Sequence, residues 1–219
     1  MVHDGMRMQW EIGMRKLIVQ MQMSVDGYVS AARSGLAWQV WNWGDDWTWD
    51  ERLKDEFNRI LASVDCILLS RPMIQEGYLD HWTRIAQRFP SDPHYAFAQR
   101  IVDVSKVVLT DKLQSSPWER TTIAGGGMVS EVQALKQQPG GNIITFGGAG
   151  FVSALVAAGL VDEFQFFVNP AVVGEGKGLF HDTHGTRLRL IRSDAYECGI
   201  VVNRYAPVAG AIDASLPRQ

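Results

Sequence analysis

The stretch Asn142-Ile-Ile-Thr-Phe-Gly-Gly-Ala-Gly-Phe151, followed by Val-Ser-Ala-Leu-Val-Ala-Ala-Gly-Leu-Val-Asp162, constrains this chain more than any other. Ile143 to Phe146 is an apolar run suited to a buried strand. Gly147 and Gly148 end it, and a helical pattern starts at once, from Ala149 to Ala158. A strand that turns through glycines into a helix aims backbone N–H groups and the positive helix end at one place, which suits a phosphate or another anion. Glycine matters there because a Cβ would hold a ligand off the backbone. The same turn also serves plain close packing, so the motif alone leaves both uses open.

Strand and helix signals alternate along most of the chain. Lys16 to Met23 suits a buried first strand, broken by Ser24-Val-Asp-Gly27. Asp50 to Ala62 puts Leu53, Phe57, Ile60 and Leu61 on one helical face, with Thr48 or Asp50 as the cap. Val64 to Leu69 is a second strand, and Ser70-Arg71-Pro72 follows with proline at a first helical position. Asp92 to Val102 reads as a helix, opened by Ser91 with Pro93 in its first turn. Lys106 to Thr110 and Thr121 to Ala124 read as strands, and Met128 to Gln138 as a helix ended by Pro139-Gly-Gly141. Phe164 to Val168 is a further strand, and Leu188 to Ser193 with Glu197 to Tyr205 form a hairpin turning near Asp194. This order predicts an α/β fold with a mostly parallel central sheet, helices on both faces and an antiparallel C-terminal hairpin at one edge. Residues 1–14 read as a flexible leader, 15–206 as one domain and 207–219 as a small, polar, loosely attached tail.

Composition narrows the partners. A net charge of −3 without a basic stripe argues against nucleic acid. No apolar run approaches the roughly 18 residues that span a bilayer, and Met1 to Met14 lacks the apolar core of a signal peptide, so a cytoplasmic protein with no membrane partner is expected. Cys66 and Cys198 have no neighbouring cysteine at metal or redox spacing and read as reduced, buried thiols. His181-Asp-Thr-His184 lies between Gly178 and Gly185 and brings no third ligand, so it reads as a loop and no metal site is expected.

Four segments occur in a fixed order: Met23-Ser-Val-Asp-Gly-Tyr-Val29, Leu68-Leu-Ser-Arg71, Phe146-Gly-Gly-Ala149 with Gly159-Leu-Val-Asp-Glu163, and Pro170-Ala-Val-Val-Gly-Glu-Gly-Lys-Gly-Leu-Phe180. Together, from about Arg15 to Tyr205, they resemble the dihydrofolate reductase-like superfamily. Within it they are most similar to the C-terminal reductase domain of the bifunctional riboflavin-biosynthesis protein and its stand-alone relatives. Nothing resembles the zinc deaminase half of that protein, whose Cys/His spacing is absent. The resemblance implies a dinucleotide held by Phe146, Gly147, Gly148, Ala149 and Gly150, with a Gly147–Gly148 bond that is often cis in relatives. It also implies that Ser70 and Arg71 meet the 2′-phosphate of NADPH. Where relatives often end the third strand in Ser-Arg or Thr-Arg, this chain has Thr110-Asp111-Lys112. An acid there repels a 2′-phosphate and suits a free ribose hydroxyl, while Lys112 offers only a point charge. NADPH is therefore expected through Arg71, with NADH as the alternative through Asp111.

The resemblance implies a small-molecule acceptor and a homodimer. Hydride delivery needs a proton as well. Asp50 and Glu51 open the helix that carries an acid in folate-reducing relatives, though carboxylates in a first turn also merely favour the helix dipole. Asp26 is a second candidate, for acid chemistry or substrate contact, against a plain turn role. Five of the eight Trp residues fall between Trp38 and Trp49, where relatives have a loop beside the substrate. Trp43 and Trp47 are the candidates for stacking on a flat ring, the other rings being structural. The expected function is NAD(P)H-dependent reduction of a small pterin- or pyrimidine-like heterocycle. The alternatives are a riboflavin-pathway ribosylaminopyrimidine phosphate reductase and a nucleotide-binding homologue without turnover.

Overall fold

The computed structural model describes residues 15–180 and 185–211. Its frame is one eight-stranded sheet. The strands are β1 (Leu17–Ser24), β3 (Val64–Ser70), β4 (Ser105–Leu109), β5 (Thr121–Ala124), β6 (Asn142–Thr145), β7 (Glu163–Asn169), β9 (Thr186–Ala195) and β10 (Val201–Ala211), in the order β5-β4-β3-β6-β1-β7-β10-β9. The six strands from β5 to β7 are parallel to one another, and the β9–β10 hairpin runs antiparallel beside β7. Two short strands, β2 (Tyr28–Ala31) and β8 (Gly176–Gly178), form a separate ribbon.

Central strands buried on both faces read as near-continuous apolar runs. β3 and β7 do so, and alternate residues feed two cores. On one face Ile67, Leu69 and Phe167 pack against Leu53 and Phe57 of α1 (Glu51–Ala62), Leu79 and Trp82 of α3 (Tyr78–Arg88), and Phe97 and Ile101 of α4 (Ala96–Asp103). On the other, Leu68, Ile143 and Phe166 meet Val132 and Leu135 of α5 (Met128–Gln137) and Val152 and Leu155 of α6 (Ala149–Ala157). The remaining helix, α2 (Arg71–Gln75), follows β3 directly with proline in its first turn.

Four expectations need correction. The helix expected over 92–102 is a 3-10 turn, Pro93–Tyr95, capped by Asp92, followed by α4. The hairpin turns at Glu197-Cys198-Gly199 and not near Asp194, because Gly199 takes φ +89 and its N–H closes onto the Tyr196 carbonyl at 2.9 Å. β10 runs on to Ala211, so Pro207 to Ala211 are strand and not tail. Of the two free thiols, Cys66 is buried but Cys198 is only partly so. Residues 1–14 and 212–219, and the segment His181-Asp-Thr-His184, lie outside the described residues.

Candidate active site

The glycine turn, α3 and the tryptophan loop enclose one cavity. Parallel strands deliver their C-terminal ends to one sheet edge, which is where ligands of open α/β sheets bind. β6 ends there at Thr145, and Phe146, Gly147 and Gly148 lead into α6. The Gly147–Gly148 peptide is cis. Gly147 has φ +144, a region that disfavours any side chain. A Cβ built on Gly148 would find nothing within 4 Å, so its backbone faces open space. α6 has no side-chain N-cap, which leaves its first N–H groups for another acceptor.

Phe146, Gly147 and Gly148 line a cavity of about 690 Å³ with Trp43, Met73, Glu76, Tyr78, Asp80, His81, Trp82 and Arg84 among its other walls. The Tyr78 and Phe146 rings stack at 29° with centroids 6.5 Å apart, so α3 is packed against the residue that enters the glycine turn. Burial raises the Tyr78 hydroxyl well above its usual range, opposed by the Trp82 indole. Burial and the neighbouring Arg84 push the His81 imidazole below its usual value, which favours a neutral ring at pH 7.

Two amides hold the tryptophan loop in place. Asn169 of β7 accepts from the Val40 N–H at 2.8 Å, and Gln22 of β1 donates to the Trp41 carbonyl at 3.0 Å. Asn169 also donates to Gln22 at 3.2 Å, so the pair is satisfied inside the core. The rings then divide. Trp41, Trp47 and Trp49 are buried in the core, with Trp47 against Phe97 at 4.7 Å and Trp49 stacked on Phe167 at 5.3 Å. Trp43, at φ +58, turns its ring to the cavity, a backbone conformation that is costly for a bulky residue. Trp43 thus lines the cavity, whereas Trp47 is a core residue.

The other predicted residues are spread along the edge and beyond it. Ser70 and Arg71 join β3 to α2, and Thr110, Asp111 and Lys112 follow β4, whose Leu109 pairs with Ser70. None of the five lines the cavity. They lie farther along the same edge, and Arg71 makes no hydrogen bond or ion pair with the described residues. Ala149 and Gly150 form the first turn of α6.

The three carboxylates offered as proton donors lie away from the cavity walls. Asp50 caps α1, accepting from Leu53 N–H at 3.0 Å, and also accepts from Cys198 N–H at 3.1 Å. Burial works against its ionisation, yet these backbone bonds win and hold the carboxyl below its usual range. Glu51 is exposed in the first turn of α1. Asp26 reaches the Pro170–Phe180 motif, accepting from Val173 and Gly174 N–H at 3.0 and 2.7 Å. Bonding with Ser24 and then with Val173 lowers its pKa to about 2. A carboxylate so held is a tether, poorly suited to giving up a proton near pH 7.

Two features at this end of the sheet escaped the sequence reading. One is α3, which supplies Tyr78, Asp80, His81 and Trp82. Its pattern of Leu79, Trp82, Ile85 and Ala86 is helical, but Gly77 precedes it at φ +74 and no side chain caps it. The other is Gly125-Gly126-Gly127, a second glycine turn from strand to helix, placed against Thr110 and Asp111. Its composition repeats the signal at Gly147. Among the described residues no group of three or more His, Cys, Asp or Glu could hold a metal, and no helix is long and apolar enough to cross a membrane.

The parallel sheet, the late glycine turn and the cleft at the strand ends define a protein of the dihydrofolate reductase-like class. Residues 15–202 match the RibD C-terminal domain, and the chain belongs to that family. Bacillus subtilis (strain 168) YyaP is 24% identical over 188 residues, spanning 85% of this chain and 92% of its own. Among solved structures, a Shewanella sp. PV-4 protein named for riboflavin biosynthesis superposes with a TM-score of 0.62 at 17% identity, over 88% of this chain and 99% of that one. The Thermotoga maritima diaminohydroxyphosphoribosylaminopyrimidine deaminase/5-amino-6-(5-phosphoribosylamino)uracil reductase gives 0.61 at 11% identity, over 89% of this chain but 57% of that longer one. At these identities the two structures share the fold.

Proposed function

We propose that this protein is a reductase that uses bound NADPH to deliver a hydride to a small, flat heterocycle of pterin or pyrimidine type. The observation that carries this reading is the placement of an open, uncapped helix end at Gly148 beside an aromatic-walled cavity. A dinucleotide fits these residues: the α6 N–H groups suit its pyrophosphate, and the absent Cβ at Gly148 lets the backbone approach. When bound, the reduced nicotinamide would supply the hydride, and the protein would supply position. Trp43, Tyr78 and Trp82 would hold the acceptor ring flat. Asp80 and His81 line the cavity and are the titratable groups best placed to pass a proton.

Arg71 supports NADPH, since its guanidinium is free to meet a 2′-phosphate beside a helix start. Asp111 supports NADH as the alternative, by repelling that phosphate. The reading takes the protein to be a cytoplasmic homodimer, and light scattering on the purified protein checks the dimer.

Membership of the RibD C-terminal domain family supports a second reading, reduction of a ribosylaminopyrimidine phosphate in riboflavin synthesis. A third is a homologue that binds nucleotide and reduces nothing. Steady-state oxidation of NADPH, followed with candidate pterins and pyrimidines, separates the three. Turnover with any of them supports a reductase, and tight nucleotide binding with no acceptor ever reduced leaves the binder.

A further inference from the structure

We infer that His81 is a positioning residue: through its Nε2–H it holds the backbone of Trp43, and so keeps that ring in the cavity wall. That the wall serves an acceptor rests on the proposed reductase; the hold itself does not.

Arg84 sets the tautomer. Its Nη2 lies 3.4 Å from His81 Nδ1. A guanidinium can only donate, so Nδ1 accepts, and the neutral ring carries its hydrogen on Nε2. Nε2 is shut off from solvent and makes no hydrogen bond of normal geometry among the described residues. The Trp43 carbonyl is the backbone acceptor that acts on this ring. Arg84 from α3 and Asp45 from the tryptophan loop are the charged groups that face it. A buried donor gains by keeping an acceptor within reach, so the Nε2–H and the Trp43 carbonyl hold each other at the cavity rim.

Trp43 needs such a hold. It sits at φ +58, where a bulky residue is strained, and strain of this kind persists only where neighbours fix it. Its ring lies 5.6 Å from that of Trp82 and 4.8 Å from that of Trp41. With Phe146 it borders two spaces, the cavity of about 690 Å³ and a recess of about 110 Å³ walled in part by Gln20, Gln22 and Gln39. The pose of the Trp43 ring therefore sets how far a ligand can enter. α3 meets the loop again two turns on, where Arg88 pairs with Asp45 and Tyr95 donates to the Asp45 carbonyl at 2.8 Å. His81 and Arg88 are seven residues apart and share one helix face, so the loop is fastened along that face with His81 at the cavity end. With both nitrogens engaged, His81 is a poor proton carrier, which leaves Asp80 to serve the proton path of the proposed reductase.

The test reads Trp43 in the whole protein, without cofactor or acceptor. Acrylamide quenching of tryptophan fluorescence is measured, and the Trp43 share is the difference between each protein and its counterpart carrying Trp43→Phe. His81→Leu removes both bonds and should raise the Trp43 quenching constant at least about twofold. His81→Gln keeps an acceptor for Arg84 and a donor for Trp43 but cannot titrate, and should stay within about 1.5-fold of wild type. Nitrogen-15 NMR of ring-labelled histidine, with His81→Gln assigning the signal, should place the hydrogen of the neutral ring on Nε2. Circular dichroism checks that the variants are folded, and the tautomer is read on wild type whatever the fold of the leucine variant. An unmoved Trp43 in a folded His81→Leu, equal exposure in the leucine and glutamine variants, or a hydrogen on Nδ1 would overturn the inference. Failure to bind NADPH or to reduce any acceptor would instead count against the proposed function and leave these readouts unaffected.

Discussion

The Asp26 carboxylate and the Gly174 N–H, 148 residues apart in sequence, are 2.7 Å apart in the fold. This bond, with its neighbour to Val173, fastens the turn after β1 to the loop between β7 and β8. The tether needs a charged acceptor. With its pKa lowered to about 2 from 3.8, Asp26 stabilises the folded state fully above pH 3.8, and that contribution is lost as pH falls through 2. Asp26→Asn should therefore lower the melting temperature at pH 7, with the gap from wild type closing as pH falls below 2. A gap that is constant across this range would show that the charge plays no part.

Arg71 is placed to decide between cofactors. Its loss should weaken NADPH by about 1–3 kcal/mol, the worth of a charge-assisted contact, and leave NADH nearly unchanged. Calorimetric titration of Arg71→Ala with both nucleotides checks this. Equal losses would remove Arg71 from the 2′-phosphate and give Asp111 the deciding role.

Glu163, 3% exposed on β7, is held by Arg204 at 2.6 Å and by Gln165 at 2.9 Å, with Lys16 at 3.6 Å. Burial opposes its ionisation, but Gln165 and Arg204 outweigh that and keep it below 4.5. Arg204→Met should destabilise the protein by about 3 kcal/mol, because it leaves a buried carboxylate with only Gln165 and the more distant Lys16. Denaturant titration at pH 7 measures the loss. Glu163 contributes its stability above pH 4.5, so the wild type should weaken as pH falls through the lowered value, and the difference from Arg204→Met should narrow there.

Asp50 ties α1 to the hairpin turn through Leu53 and Cys198. Asp50→Ala should cost about 1 kcal/mol of stability, the usual worth of an N-cap. Asp50→Asn and Glu51→Gln should leave turnover with a reducible acceptor within about twofold of wild type, whereas a hundredfold loss is the scale expected for a true general acid. Such a loss in either variant would return the proton donor to α1.

The main strands were legible in the sequence because a doubly covered parallel sheet demands long apolar runs, and Val64 to Leu69 or Phe164 to Val168 have no other natural home. Gly147 and Gly148 were legible for a similar reason, since few turns besides a tight strand-to-helix passage need two adjacent glycines there. α3 has an equally clear helical period but begins at a left-handed Gly77 with no capping side chain, so its start is silent. The division of labour in the tryptophan loop was hidden for a different reason. Trp43 and Trp47 sit in irregular chain, and their fates depend on Gln22 and Asn169, which lie on other strands. Asp26 and Asp50 likewise read as candidate acids in isolation, and only their distant backbone partners reveal them as fasteners.

The most direct test of the central assignment is calorimetric titration of NADPH into wild type and into Gly148→Val. A side chain at Gly148 meets no protein atom as it leaves the backbone, so the variant should fold and melt like wild type. Wild type should bind NADPH saturably, and Gly148→Val should lose at least about a hundredfold in affinity through steric exclusion of the ligand from the α6 N-terminus. Unchanged affinity in a folded Gly148→Val, or no binding of NADPH to wild type, would contradict the placement of that dinucleotide at this turn.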